Sequence, residues 1–162
     1  MTRDLMALSR QVGAALIERG ETVCAAESCT GGLILSSLTD RAGSSAYVAG
    51  GVVSYSNEAK MRLLGVCETT LIAHGAVSEE TAAEMARGAL ALFDTDYALS
   101  VTGIAGPGGG TAEKPVGLTY IGLAGPQGSL QVAPHVWDSD RIGNKAASVE
   151  AAFNLLLDAL RD

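Results

Sequence analysis

Short apolar runs alternate with longer amphipathic ones along this chain, and that alternation limits its fold more than any other feature. TVCAAE (22–27), VAGGVVSYS (48–56) and DYALSVTG (96–103) are short, apolar and bounded by turn residues, as buried strands are. Between them lie helical patterns. Leu5, Leu8, Val12 and Leu16 share one face of a helix that Gly20 ends, and the chain from Gly31 to about Leu38 can be helical again. Ser56 or Asn57 caps NEAKMRLL, which Gly65 stops, and ETTLIAH makes a further short helix. Ser78 caps a longer one with Glu79 and Glu80 in its first turn and Ala82, Met85, Ala86, Ala89 and Phe93 as its apolar stripe. VGLTYIGLAG and SLQVAPHVW flank a Pro-Gln-Gly turn, an antiparallel hairpin. Residues 144–160 close the chain as a helix with Ala147, Ala151, Leu155 and Leu156 facing inward. The pattern predicts an α/β fold: a three-layer α/β/α sandwich on a mixed, mostly parallel sheet with a C-terminal hairpin, in one domain over 1–162. The Gly50–Gly51 pair inside the second strand predicts a close approach or a bulge.

Composition narrows the function. With 48% apolar residues in 162, disorder is excluded. A net charge of −7 and 11 scattered Lys and Arg residues argue against a nucleic-acid surface, so any phosphate is held locally. Three cysteines without CxxC spacing and only two histidines give no expectation of a metal or of a disulfide scaffold. No apolar run is long enough to span a bilayer, and residues 1–13 read as an amphipathic helix and not a signal peptide. The expectation is a reduced, cytoplasmic protein without cofactor, nucleic-acid or membrane partner, of a type that could form a homo-oligomer.

Four loops beside the strands carry the chemistry: ESCTGG (27–32), AGSSAY (42–47), SYSNEAK (54–60) and TGIAGPGGG (102–110). The last offers many unshielded N–H groups, either as an anion nest or as a wide glycine turn. It has no Gly-Lys-Ser/Thr, and Thr111 stands where a dinucleotide fingerprint needs its third glycine. Lys60 falls in the first turn of a helix, the unfavourable end of the dipole for a cation. It is either a solvated surface lysine or a base of lowered pKa. Ser28 and Thr30 are helix caps or nucleophile candidates, and Ser44 and Ser45 are loop residues unless a lysine serves them. A serine beside an unprotonated lysine can be activated without histidine. His74 and His135 have no nucleophile near them in sequence. Cys29 is a thiol nucleophile candidate without an obvious histidine base, or packing, and packing is the preferred reading; Cys24 and Cys67 read as small core residues. Tyr55 is buried bulk or a hydroxyl near Lys60; Arg141 is a surface ion-pairing residue or a phosphate clamp.

AESCTGG, AGSSAY, G-x-V-S-Y-S-N-E-A-K, HGAVSEE, TGIAGPGGG, EKPVG and the late S-D-R, in this order over nearly the whole chain, resemble the competence/damage-inducible protein A C-terminal family. The resemblance implies metal-free hydrolysis of the carboxamide of nicotinamide mononucleotide to nicotinate mononucleotide and ammonia, in pyridine-nucleotide recycling. It implies a Ser-Lys dyad, with Ser45 as nucleophile, Lys60 as base, Tyr55 assisting and Ser28 as the second candidate nucleophile. Thr30, Gly31 and Ser44 would line the site, and Thr102, Gly103, Gly106, Gly108 and Gly109 would offer N–H donors. Arg141 would hold the phosphate. Two-domain relatives carry a further N-terminal domain similar to molybdopterin-binding proteins, whose activity is not expected here. Ser54 stands where relatives often carry Thr, and WDSDR lacks a glycine that often precedes the Asp-Arg pair. The alternatives are a non-catalytic nucleotide-binding or protein-interaction module of competence or DNA-damage responses, and an amidase for another small carboxamide.

Overall fold

A computed structural model of the chain describes residues 3–161, so Met1 and Thr2 of the expected first helix lie outside the described residues. The elements follow in the order α1 (Arg3–Arg19), β1 (Val23–Glu27), α2 (Leu33–Thr39), β2 (Val48–Val53), α3 (Asn57–Leu64), α4 (Glu68–His74), α5 (Glu79–Phe93), β3 (Tyr97–Gly103), β4 (Leu118–Ala124), β5 (Leu130–Val136) and α6 (Arg141–Ala159). Single 3₁₀ turns sit at Ser44–Ala46 and Pro126–Gly128.

The sheet order is β2-β1-β3-β4-β5. β2, β1 and β3 pair in parallel, and β4 alone runs against the rest, between β3 and β5. The period-2 alternation of strand side chains sorts the core onto two faces. Val23, Ala25, Leu99, Val101 and Ile121 join Leu5, Val12, Leu16, Ile34, Phe153 and Leu156 on the side of α1, α2 and α6. Cys24, Ala26, Ala98 and Ala124 meet Leu64, Leu71, Met85, Ala86 and Ala89 on the side of α3, α4 and α5. The result is the expected α/β/α sandwich with a mixed, mostly parallel sheet.

Two details depart from the sequence expectation. On α6 the buried positions are Asn144, Ser148, Val149, Ala152, Phe153, Leu156 and Leu157, with Ala151 and Leu155 only partly buried. The inward face is therefore turned by about one residue, because the larger Phe153 and Leu157 take the core. Cys67 is exposed at the start of α4, where its backbone N–H donates to Glu84, and is not a core residue.

Both readings of the glycine pair in β2 hold. The register slips between Val23 and Cys24, which pair with Val48 and Gly50, and a Cβ on Gly51 would overlap the Ala25 carbonyl. A second glycine lets α3 and α5 approach closely: a Cβ on Gly88 of α5 would overlap the carbonyl oxygen of Leu64, at the end of α3. Gly88→Ala is expected to push α3 outward and lower stability by about 1–3 kcal/mol. Denaturant unfolding measures this, and an unchanged midpoint would contradict the close α3–α5 seat.

The parallel strands determine where a site can form. Chain leaving β1, β2 and β3 emerges at one edge of the sheet, whereas chain entering β2 lies at the other, six strand residues or roughly 20 Å away.

Candidate active site

Ser56 caps α3, its side chain accepting from the N–H of Ala59. This cap starts the helix immediately after Tyr55 and turns Lys60 inward, where it is only 1% exposed. Its Nζ donates to the carbonyl oxygens of Ser54 at 2.8 Å and Tyr55 at 3.3 Å and meets Ser28 Oγ at 2.9 Å. Burial lowers the Lys60 pKa from 10.5 to about 8, against a small opposing influence of the Cys29 thiol. That thiol is itself pushed up to about 11 by burial, so Cys29 is a protonated, packed neighbour and not an anion. The solvated-surface reading of Lys60 is excluded by its burial.

The three contacts have a chemical consequence. Carbonyl oxygens can only accept, so in neutral Lys60 the two N–H groups remain on Ser54 and Tyr55. The lone pair is left facing the Ser28 hydroxyl, the orientation a base needs to take that proton.

Ser28 follows the last residue of β1, and its backbone N–H is tied to Val101 O at 2.9 Å. The expected pairing of Ser45 with Lys60 is not formed. Ser44 and Ser45 lie in the turn that enters β2, at the opposite edge of the sheet, and Ser45 is exposed. Fifteen residues separate Ser45 from Lys60 in sequence, but β2 lies between them as a straight spacer.

A cavity of about 270 Å³ opens over the Ser28–Lys60 pair. Thr102, Gly103, Gly106, Gly108 and Gly109 form one wall, as expected, and Tyr55 and Arg141 stand at its mouth. Arg141 Nη1 donates to Gly106 O at 2.7 Å and Nη2 to the Tyr55 hydroxyl at 3.3 Å, so the phenol meets Arg141 instead of the Ser28–Lys60 pair. Tyr55 is 63% exposed and is not buried bulk. The three expected lining residues Thr30, Gly31 and Ser44 fall outside the cavity wall, Ser44 with Ser45 in the turn that enters β2. Thr30 is fully buried with its hydroxyl unpartnered, and Gly31 is exposed beside Lys145.

Sequence reasoning missed Ala76 and Val77, which line the cavity from the α4–α5 link. Thr102 Oγ1 donates to Ala76 O, and Lys114 Nζ donates to His74 O and Val77 O, pinning that link to the glycine-rich wall. The HGAV and EKPVG stretches were the available signal. Cys29, weighed as a thiol nucleophile and preferred as packing, is packed and also lines the cavity. His74 pairs with Glu80 on the surface and His135 stacks on Trp137; neither lines the cavity. Among the described residues no three His, Cys, Asp or Glu side chains gather into a metal-binding group, and no helix is long and apolar enough to cross a membrane.

Known proteins place this architecture. A CinA-like protein of Chloroherpeton thalassium is 53% identical over 158 residues, covering 96% of this chain but 38% of its own length. The chain thus spans well under half of such longer relatives. The nicotinamide-nucleotide amidohydrolase PncC of Enterobacter agglomerans is 51% identical over 160 residues, covering 99% of this chain and 96% of its own. The crystal structure of the competence/damage inducible protein CihA from Agrobacterium tumefaciens superposes with a TM-score of 0.96 at 44% identity, covering 100% of this chain and 98% of that one. Residues 5–160 match the CinA C-terminal domain, and the chain belongs to that family.

Proposed function

We propose that this chain is an amidase that hydrolyses the carboxamide of nicotinamide mononucleotide to nicotinate mononucleotide and ammonia, in the cytoplasm, as a step of pyridine-nucleotide recycling. The observation that carries the reading is the buried contact of Lys60 Nζ with Ser28 Oγ at 2.9 Å, made by a lysine whose pKa lies near 8. A binding module has no use for a desolvated amine aimed at a hydroxyl. The relatives of matching length named nicotinamide-nucleotide amidohydrolase support the substrate.

In this reading Ser28 takes the nucleophile's place that the family resemblance gave to Ser45. Neutral Lys60 accepts the Ser28 proton as Oγ attacks the carboxamide carbon, and a tetrahedral oxyanion forms. The glycine-rich wall that lines the cavity supplies backbone N–H donors to that oxygen in this reading; one such donor is typically worth about 10²–10³ in rate. The Lys60 ammonium then returns its proton to the departing amine, and ammonia leaves an acyl ester on Ser28. Water, deprotonated in turn by Lys60, attacks the ester and releases the carboxylate, restoring Ser28. Arg141 has N–H groups beyond the two it spends on Gly106 and Tyr55, and these hold the phosphate. Tyr55 serves that mouth with its phenol and the dyad with its carbonyl.

Purified protein incubated with nicotinamide mononucleotide is expected to release one ammonia per nicotinate mononucleotide formed, equally with and without a chelator. Binding of the nucleotide with no ammonia over hours would favour the non-catalytic module instead. Turnover of another small carboxamide in preference would reassign the substrate but keep the chemistry.

A further inference from the structure

The side chain immediately before Ser28 is a carboxylate that takes no part in the bond-making and proton transfers of amide hydrolysis. Glu27 is the last residue of β1, is fully buried, and has no cation as partner among the described residues. Its Oε2 accepts from the backbone N–H groups of Gly32 at 2.9 Å and Ile34 at 3.1 Å, and its Oε1 accepts from Leu35 at 2.9 Å. Gly32, the cap position of α2, lacks a side chain, so Glu27 takes over the free N–H groups of that helix start from across the turn. A carboxyl group can accept at both oxygens, and both of Glu27's are used at the N-terminal end of α2, where the backbone N–H groups lack helical partners.

The turn between Glu27 and Gly32 holds Ser28. Its ends are closed by the carboxylate, and its interior by the Gly31 N–H bond to Ser28 O at 3.1 Å. On the strand side Ser28 N–H is fixed to Val101 O, and Glu27 O accepts from Ser54 N–H at 2.8 Å. Ser54 O in turn receives Lys60 Nζ. Glu27 therefore stands at both ends of the geometry: its side chain fixes the turn carrying the hydroxyl, and its carbonyl fixes the peptide holding the amine.

We infer that Glu27 is a positioning residue that sets Ser28 Oγ within bonding reach of Lys60 Nζ. The inference rests on Ser28 being the nucleophile. Glu27→Gln keeps the shape but turns a donor toward at least one of the three N–H groups, so the turn must shift. A displacement of about 1 Å at a reacting group can cost about 10²-fold in rate.

The test compares wild type with Glu27→Gln by three measurements: thermal unfolding, steady-state ammonia release, and the rate at which a fluorophosphonate labels Ser28, located by mass spectrometry. The expected result is a folded variant with kcat lowered about 10²-fold, KM within about threefold, and slowed Ser28 labelling. A merely structural role would lower the unfolding temperature and leave both rates per folded molecule unchanged, which overturns the inference. Labelling separates this question from the substrate. If the wild type is labelled at Ser28 yet releases no ammonia, the amidase reading fails while labelling still reports on Glu27. If Ser28 is not labelled in the wild type, the inference falls with its nucleophile. Should Glu27→Gln not fold, Glu27→Asp, charged but one methylene short, is measured in the same way. A slow, folded Asp variant supports positioning; a wild-type rate, or failure of both variants to fold, refutes it.

Discussion

Replacing Ser28 with alanine is expected to lower ammonia release from nicotinamide mononucleotide by at least about 10³-fold, whereas Ser45→Ala leaves it within about twofold. The size follows from the role: without the hydroxyl no acyl ester forms, and only binding and oxyanion donors remain to assist water. The contrast follows from position. Ser28 is 8% exposed beneath the cavity and touches Lys60, while Ser45 is exposed at the far edge of the sheet. Neither change disturbs packing, since Ser45 faces solvent and Ser28→Ala removes one oxygen from a site already open to the cavity. Side-by-side rate measurements at equal folded concentration decide the matter. Full activity in Ser28→Ala, or its loss in Ser45→Ala, would remove Ser28 from the mechanism.

Much of this architecture could be read from sequence, because the signals were local. Ser56 and Ser78 cap α3 and α5 where their side chains reach the N–H three residues on, and Gly65 ends α3 in a left-handed conformation. The misplaced residues depend on how the strands are ordered in space. The pairing of Ser45 with Lys60 came with the family resemblance and not from a local signal, and the fold does not allow it, because β2 holds its two ends apart. The parallel order of β2, β1 and β3 would have corrected it: residues after parallel strands share an edge, and Ser28 and Lys60 both come after theirs. Lys60 was singled out by its place in a first turn, yet it is buried against Ser28, thirty-two residues away, which no window around Lys60 contains. Ala76 and Val77 are invisible for another reason. They contribute backbone and small apolar surface, fixed there by Lys114 from nearly forty residues away, as the Lys114–Val77 bond shows.

Lys60→Met is expected to abolish turnover, by about 10²–10⁴-fold, while the protein stays folded. Methionine fills the same channel without an amine, so loss of activity reports the base and not a cavity. The wild-type pH profile should show the same group. Lys60 acts as a neutral amine and burial places its pKa near 8, so kcat/KM should rise with pH through a limb centred there and level off above it. Stability carries a matching signature of determined sign. In the unfolded chain Lys60 titrates near 10.5, so between about 8 and 10.5 the unfolded state binds more protons than the folded one. Wild-type stability relative to Lys60→Met must therefore rise as pH increases through that window and level off at its lower value below 8 and at its higher value above 10.5. The expected gain is about 2 kcal/mol, less than the full shift because the open cavity lets water screen the ammonium. Denaturant unfolding of both proteins at pH 7.5 and 10.5 measures it. A difference independent of pH would mean that Lys60 keeps an ordinary lysine pKa in the fold, and the low-pKa base would be lost with it.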